Sequence, residues 1–364
     1  MSLKSLMLSF AVVSALYAAP SQAQIFDLEI TDYGGIPGPL RTFVDNEIQK
    51  VENEINQDFP SGTPDRLMEG MANSSVMAGK GIGTDYASNM SVFLIGAGVG
   101  VGADLEKPKG TDSDFSGVGV APGVIVGFNM GFLDSETILG MDTNRLNWYF
   151  NFMSHNLKQS LGEGDKQSDI SLGMLSFGTH MRYDWIRGRG NKLLGWGGVK
   201  LNFGVEYNKT RVDFSSKISE VVDEISSTGE RIQGTISGSP EASILTSTTS
   251  IPLALSTDVQ ILYFLTMYGG AGVDYNMGEA KGEGNLNGSE SPLNCTGGVS
   301  CGTNPTIRVR PKANLDTSAK VTPFTYRAFA GVQVNLPWTR VFVQVDKSLS
   351  NELVGATAGL RFAF

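Results

Sequence analysis

Base-assisted chemistry has few places to start in this sequence, because His155 and His180 are its only imidazoles. On a strand, a nucleophile–base pair needs a serine two residues from the histidine, on the same face, with a third polar group orienting the ring. His155 has Met153 and Leu157 at those spacings, and His180 has Gly178 and Arg182. Neither has an aspartate there either. No catalytic set and no metal set follows, and an inward, hydrogen-bonded histidine is the simpler reading of both. His180, Arg182 and Asp184 share one strand face and read as an ion-pair ladder. The run from Gly96 to Gly102 has the glycines of a phosphate loop, but no lysine follows at the required place. No cofactor is expected.

What remains is a set of charges spaced among alternating residues: Arg182, Asp184, Lys200, Glu206, Arg327, Arg340, Asp346 and Arg361. If the strands that carry them close into a tube, alternation turns these groups inward. Strand direction then gathers Arg182, Lys200, Arg340 and Arg361 towards one end, with Arg327 near the middle. Asp104, Glu206, Asp274 and Asp346 fall towards the other. Ionised groups in a narrow lumen must be paired or hydrated. They either fill it as a salt-bridged core or form a constriction that selects solutes.

The elements that would position them change character along the chain. Lys4, the apolar stretch Leu6 to Ala19 and the small-x-small site Ser21-Gln22-Ala23 read as a signal peptide over residues 1–23. Residues 24–88 form an N-terminal segment, periplasmic or plugging. Within it Leu40, Phe43, Val44, Ile48, Val51 and Ile55 predict a helix near 38–58, ended by Pro60. That helix is acidic, and it is expected to close the basic mouth of the tube.

From residue 89 onward the period becomes two. Leu146, Trp148, Phe150 and Phe152 alternate with Asn147, Tyr149, Asn151 and Met153, and Val341, Val343 and Val345 alternate with Arg340, Gln344 and Asp346. About ten strands are expected, with eight or twelve as alternatives: 90–104, 118–132, 145–157, 169–185, 196–213, 248–260, 264–278, 319–335, 339–348 and 353–364. Their connections alternate between short turns and long polar loops, the longest at 214–247 and 279–318. Cys295 and Cys301 lie in the second, and in an exported chain they read as a loop-stapling disulfide. Loss of the leader removes one lysine, leaving 27 basic against 37 acidic residues. That balance argues against a nucleic-acid partner.

The last strand is the most specific feature. Phe364, Phe362, Leu360, Ala358, Ala356 and Val354 alternate with Ala363, Arg361, Gly359, Thr357 and Gly355. A terminal strand ending on phenylalanine, with Phe362 and Phe364 as the assembly signal, resembles bacterial outer-membrane β-barrel proteins, the porin-like superfamily. The resemblance implies an all-β, antiparallel up-and-down transmembrane barrel with an even number of strands. It implies outer-membrane lipid and the outer-membrane assembly machinery as partners. The function expected is a porin-like narrow channel for small solutes, or a structural barrel. The alternative is a surface-exposed adhesin or receptor acting through 214–247 and 279–318 on host or cell-surface ligands. No enzyme activity is expected.

Overall fold

The structure is a computed structural model. It describes residues 26–33, parts of 41–53, 64–87, 92–106, 116–133, 136–138, 140–161, 168–190, 193–216, 218–225, 231–288, 291–296, 306–313 and 316–364. Residues 1–23, read above as a signal peptide, lie outside the described residues.

Ten strands form the wall: β1 (Phe93–Asp104), β2 (Gly117–Asn129), β3 (Leu146–Leu161), β4 (Ser168–Gly190), β5 (Leu194–Ser216), β6 (Arg231–Ile261), β7 (Leu265–Gly288), β8 (Phe324–Asn335), β9 (Thr339–Ser348) and β10 (Leu353–Ala363). Each pairs antiparallel with the next. β10 then pairs with β1, from Leu353↔Asp104 to Ala363↔Leu94, and the ring closes. Closure leaves these strands no open edge, which is why a barrel tolerates lipid where an open sheet does not. At the seam Phe364 exchanges backbone hydrogen bonds with Phe93.

One face of each strand is polar and buried while the other is apolar and exposed. On β9 the outward residues are Val341, Val343 and Val345; their neighbours Phe342, Gln344 and Asp346 are buried. The same outward belt holds Val124, Phe152, Phe177, Val205, Leu253, Leu255, Met267 and Leu360, with Trp185, Trp196, Tyr263, Phe264 and Trp338 near the short-turn end. Each large side chain left in water forgoes about 1.5–3 kcal/mol. A belt of this breadth would exceed the roughly 5–15 kcal/mol by which folded chains are stable. Lipid is the solvent in which this surface costs nothing. The belt lies on the strands, which make the crossing; no helix among the described residues is long and apolar enough to cross a membrane.

The turns at one end are short, Leu262–Phe264 being an example. The strands end at very different heights on the other side. β6 has 31 residues, roughly 100 Å at 3.3 Å per residue, whereas about ten suffice for a membrane. Its first part pairs with Ile218–Ile225 and with Ser291–Thr296; Ser291–Thr296 pairs in turn with Thr306–Ala313, and Thr306–Ala313 with Phe26–Asp32. The expected loops 214–247 and 279–318 are thus largely strand. Ile218, Val221, Val222, Ile225 and Ile236 favour extended backbone, and above the membrane water hydrates either face, so no apolar stripe is needed. Cys295 lies on one of these strands. Cys301, and with it the bridge, lies outside the described residues.

A helix, α1 (Pro64–Ala78), runs inside the ring. In the range 38–58, where a helix is predicted, the described residues 41, 42, 45, 46, 48, 49, 52 and 53 are helical.

Candidate functional site

α1 enters at the loop end. Arg66 pairs there with Asp104 at 3.1 Å and Glu106 at 3.0 Å, and Thr317 hydrogen bonds Asp65. It descends along β1 and β2, many of whose inward positions are glycines. A Cβ on Gly102 or Gly119 would strike the backbone of Ser74, one on Gly117 that of Gly70, and one on Gly100 the carbonyl of Ala78. The helix answers with Gly70, Ser74 and Ala78, spaced by four on one face, and Ser74 Oγ donates to the Gly117 carbonyl at 2.8 Å. Small residue meets no residue, so two backbones approach closely. On its far side Met68, Ala72 and Val76 pack with Ala280 and Val321.

Beyond Ala78 the chain continues down the lumen in turns and bends, and its polar groups are met one by one. Lys80 donates to Glu206 (2.7 Å) and to Ser250 (2.7 Å), with Asp274 at 3.6 Å. Asp274 and Asp346 each take Arg327 at 2.9 Å, and Gln344 closes on Asp346. Below this level the wall turns basic. Arg361 reaches Asp85 (3.2 Å) and the carbonyls of Gly81 (3.3 Å) and Thr84 (2.8 Å). Arg182 donates to the Asp85 carbonyl, Lys200 to the Tyr86 carbonyl at 3.1 Å, and Arg340 lies 3.8 Å from the Asp85 carboxylate. Lys200 also pairs with Asp258. Tyr86 stacks on Tyr268 and meets the tilted ring of Phe329.

The segment therefore carries its cation at the acidic level of the wall and its anion at the basic level. A helix-free stretch in a lumen must still satisfy its carbonyls, and the wall guanidinium and ammonium groups do so here. Such pairs are stable only when complete; removing one member strands a buried charge.

Of the charges singled out in the sequence, Arg182, Lys200, Glu206, Arg327, Asp346 and Arg361 are buried together in this network. Asp184 (24% exposed), 3.5 Å from Arg182, and Arg340 (20%) lie nearer the turn-end mouth. His180 is buried with Nε2 3.5 Å from Glu206. His155 is exposed towards the loop end. Phe362 and Phe364 point outward, exposed, at the turn end. Asp85 meets the basic mouth, and in the range 38–58, where a helix is predicted, Asp45 accepts a hydrogen bond from Tyr33. Lys80 and Asp85 escaped the sequence reading, although the small residues at 70, 74 and 78 offered a sign that this stretch packs closely. Among the described residues no group of three or more His, Cys, Asp or Glu is placed to hold a metal ion.

A second concavity opens at the loop end, a cavity of about 810 Å³ between the upper parts of β3 to β7. Asp169, Asp213, Glu241, Glu283 and Asp316 line it against Lys158 and Arg211. Arg211 donates to both oxygens of Asp213, at 2.8 and 3.0 Å. This hydrogen bond holds the guanidinium above its ordinary pKa.

Residues 21–364 match the model of the family described as Lsa36-like. No curated protein matches the chain. Among solved structures it is similar to the transport unit of the autotransporter AIDA-I from Escherichia coli (9% identity, TM-score 0.34, 80% of this chain and 96% of that one). It is also similar to CarO from Acinetobacter baumannii (10%, 0.26, 74% and 97%) and to the translocator domain of the autotransporter NalP from Neisseria meningitidis (12%, 0.31, 76% and 90%). The barrel itself rests on the closed ladder of strands described above.

Proposed function

The chain belongs to the Lsa36-like family, and we propose that it is an outer-membrane barrel with a sealed lumen whose working surface is its loop-end face. The observation that carries this reading is the occupied lumen: residues 64–87 run through it and bind both walls by hydrogen bonds and ion pairs at three levels. Ten strands enclose a narrow space to begin with, and a helix about 10–12 Å across takes up much of it. The seal favours a structural and binding role over a porin-like channel. Within the lumen Lys80 already donates to Glu206 and Ser250, which supports a non-catalytic reading. The acidic cavity at the loop end favours a positively charged partner, such as a lysine-rich segment of a surface protein.

The experiment joins two measurements on the refolded mature protein. In planar bilayers it is expected to insert without stepwise current. Immobilised oligolysine is expected to retain it at low salt, less at high salt, and not after Asp169, Glu241 and Glu283 are changed to lysine. Stable ion-selective steps from the intact chain would return the porin reading.

A further inference from the structure

The lumen segment has a direction. Arg66 is bound at the loop-end mouth by Asp104 and Glu106, whereas Asp85 and Tyr86 are bound near the turn end by Arg361, Arg182 and Lys200. β1 then starts from the turn end at Phe93. A chain that enters one mouth and leaves by the other crosses the barrel once, so what precedes Pro64 belongs on the opposite side from Phe93.

A second observation agrees independently. Strand Phe26–Asp32 pairs antiparallel with Thr306–Ala313, which belongs to the β layer built on β6 above the loop end. Its register sets Asp27 opposite Lys312, Glu29 opposite Arg310 and Asp32 opposite Arg308. Each of these acids thus stands across the ladder from a base, the register shifting between Ile30 and Asp32. Opposite charges in register stabilise a strand pair, and like charges would reject it.

We propose that the region before α1 is delivered through the barrel to the outer face, where Phe26–Asp32 is clasped by charge onto Thr306–Ala313. The segment 24–88, expected to be periplasmic or plugging, is then divided: residues 64–87 fill the lumen, and the region before them becomes part of the surface offered to partners. The inference rests on reading the loop end as the outer face.

The test uses two full-length variants in intact cells: an epitope between Gly35 and Ile36, and one between Gly298 and Val299. Antibody staining of both without permeabilisation is expected. Staining of the second alone overturns the inference and leaves the outer-face reading standing; staining of neither until permeabilisation overturns both. The clasp is tested by a protease site placed beside the first epitope. Changing Arg308, Arg310 and Lys312 to glutamate is expected to speed its cleavage roughly tenfold, from three cross-strand pairs lost and made repulsive. Adding Asp27→Lys, Glu29→Lys and Asp32→Lys is expected to restore the slow rate. Equal cleavage in all three proteins would overturn the clasp.

Discussion

Asp85, inside the lumen, and Arg361, on the last strand, meet with 3.2 Å between Oδ1 and Nη1, although 276 residues separate them in sequence. Both are buried, and the same guanidinium closes on the carbonyls of Gly81 and Thr84. One contact thus ties the terminal strand to the end of the lumen segment.

Asp85→Ala leaves Arg361 and Arg340 without their carboxylate. Removing one partner from a buried pair costs about 3–5 kcal/mol. The temperature at which the folded band converts to the unfolded band on semi-native gels should fall. An unchanged conversion temperature would mean that water compensates these cations.

Lys80 and Glu206 form the matching pair at the acidic level. Lys80→Met and Glu206→Gln should each destabilise, and the double variant should lose less than their sum. A coupling of about 0.5–3 kcal/mol is expected for residues in one network. Urea unfolding of the four proteins measures it, and strict additivity would dissolve the pair.

Gly100→Val places methyl groups where the Ala78 carbonyl lies. The wall gains a good strand former, so the barrel should still form while α1 is pushed off its floor. Limited proteolysis should then cut within 64–87, where burial is expected to protect the wild type. Resistance equal to wild type would show that the strand yields instead.

Deleting residues 64–87 should convert a silent barrel into a conducting one, since the lumen charges would then line water. Deleting 38–60 should leave the current unchanged, because the segment that fills the lumen is 64–87. Single-channel recordings of the two proteins distinguish the cases, and the reverse result would move the seal to the N-terminal side.

Much of the wall was legible in the sequence because lipid imposes a period of two on one face and closure imposes inward polar groups on the other. Val341, Val343 and Val345 against Gln344 and Asp346 state both constraints within six residues. The parts that escaped lie where neither constraint acts. Above the membrane, residues such as Thr235 and Ile236 extend a ribbon in water, and serine- and glycine-rich composition reads as loop. α1 escaped for a different reason. A helix lying on glycines needs small residues rather than a broad apolar stripe, so the stronger stripe at Leu40 to Ile55 drew attention away from Gly70, Ser74 and Ala78. Lys80 and Asp85 take their meaning from wall partners 97 to 276 residues away.

The glycine floor and the contacts made by the last strand also differ in when they can form. Ser74 finds Gly117 across 43 residues, a loop closed while most of the wall is still to come. Thr357 finds the Lys80 carbonyl only across 277. Loop-closure entropy places the first contact early and the second late. The helix is therefore cradled by the opening hairpin, and its lower end waits, uncapped, until residues 353–363 arrive. Stitching the seam and sealing the lumen become one event, and damage to the last strand would appear as a leak before it appeared as an unfolded wall.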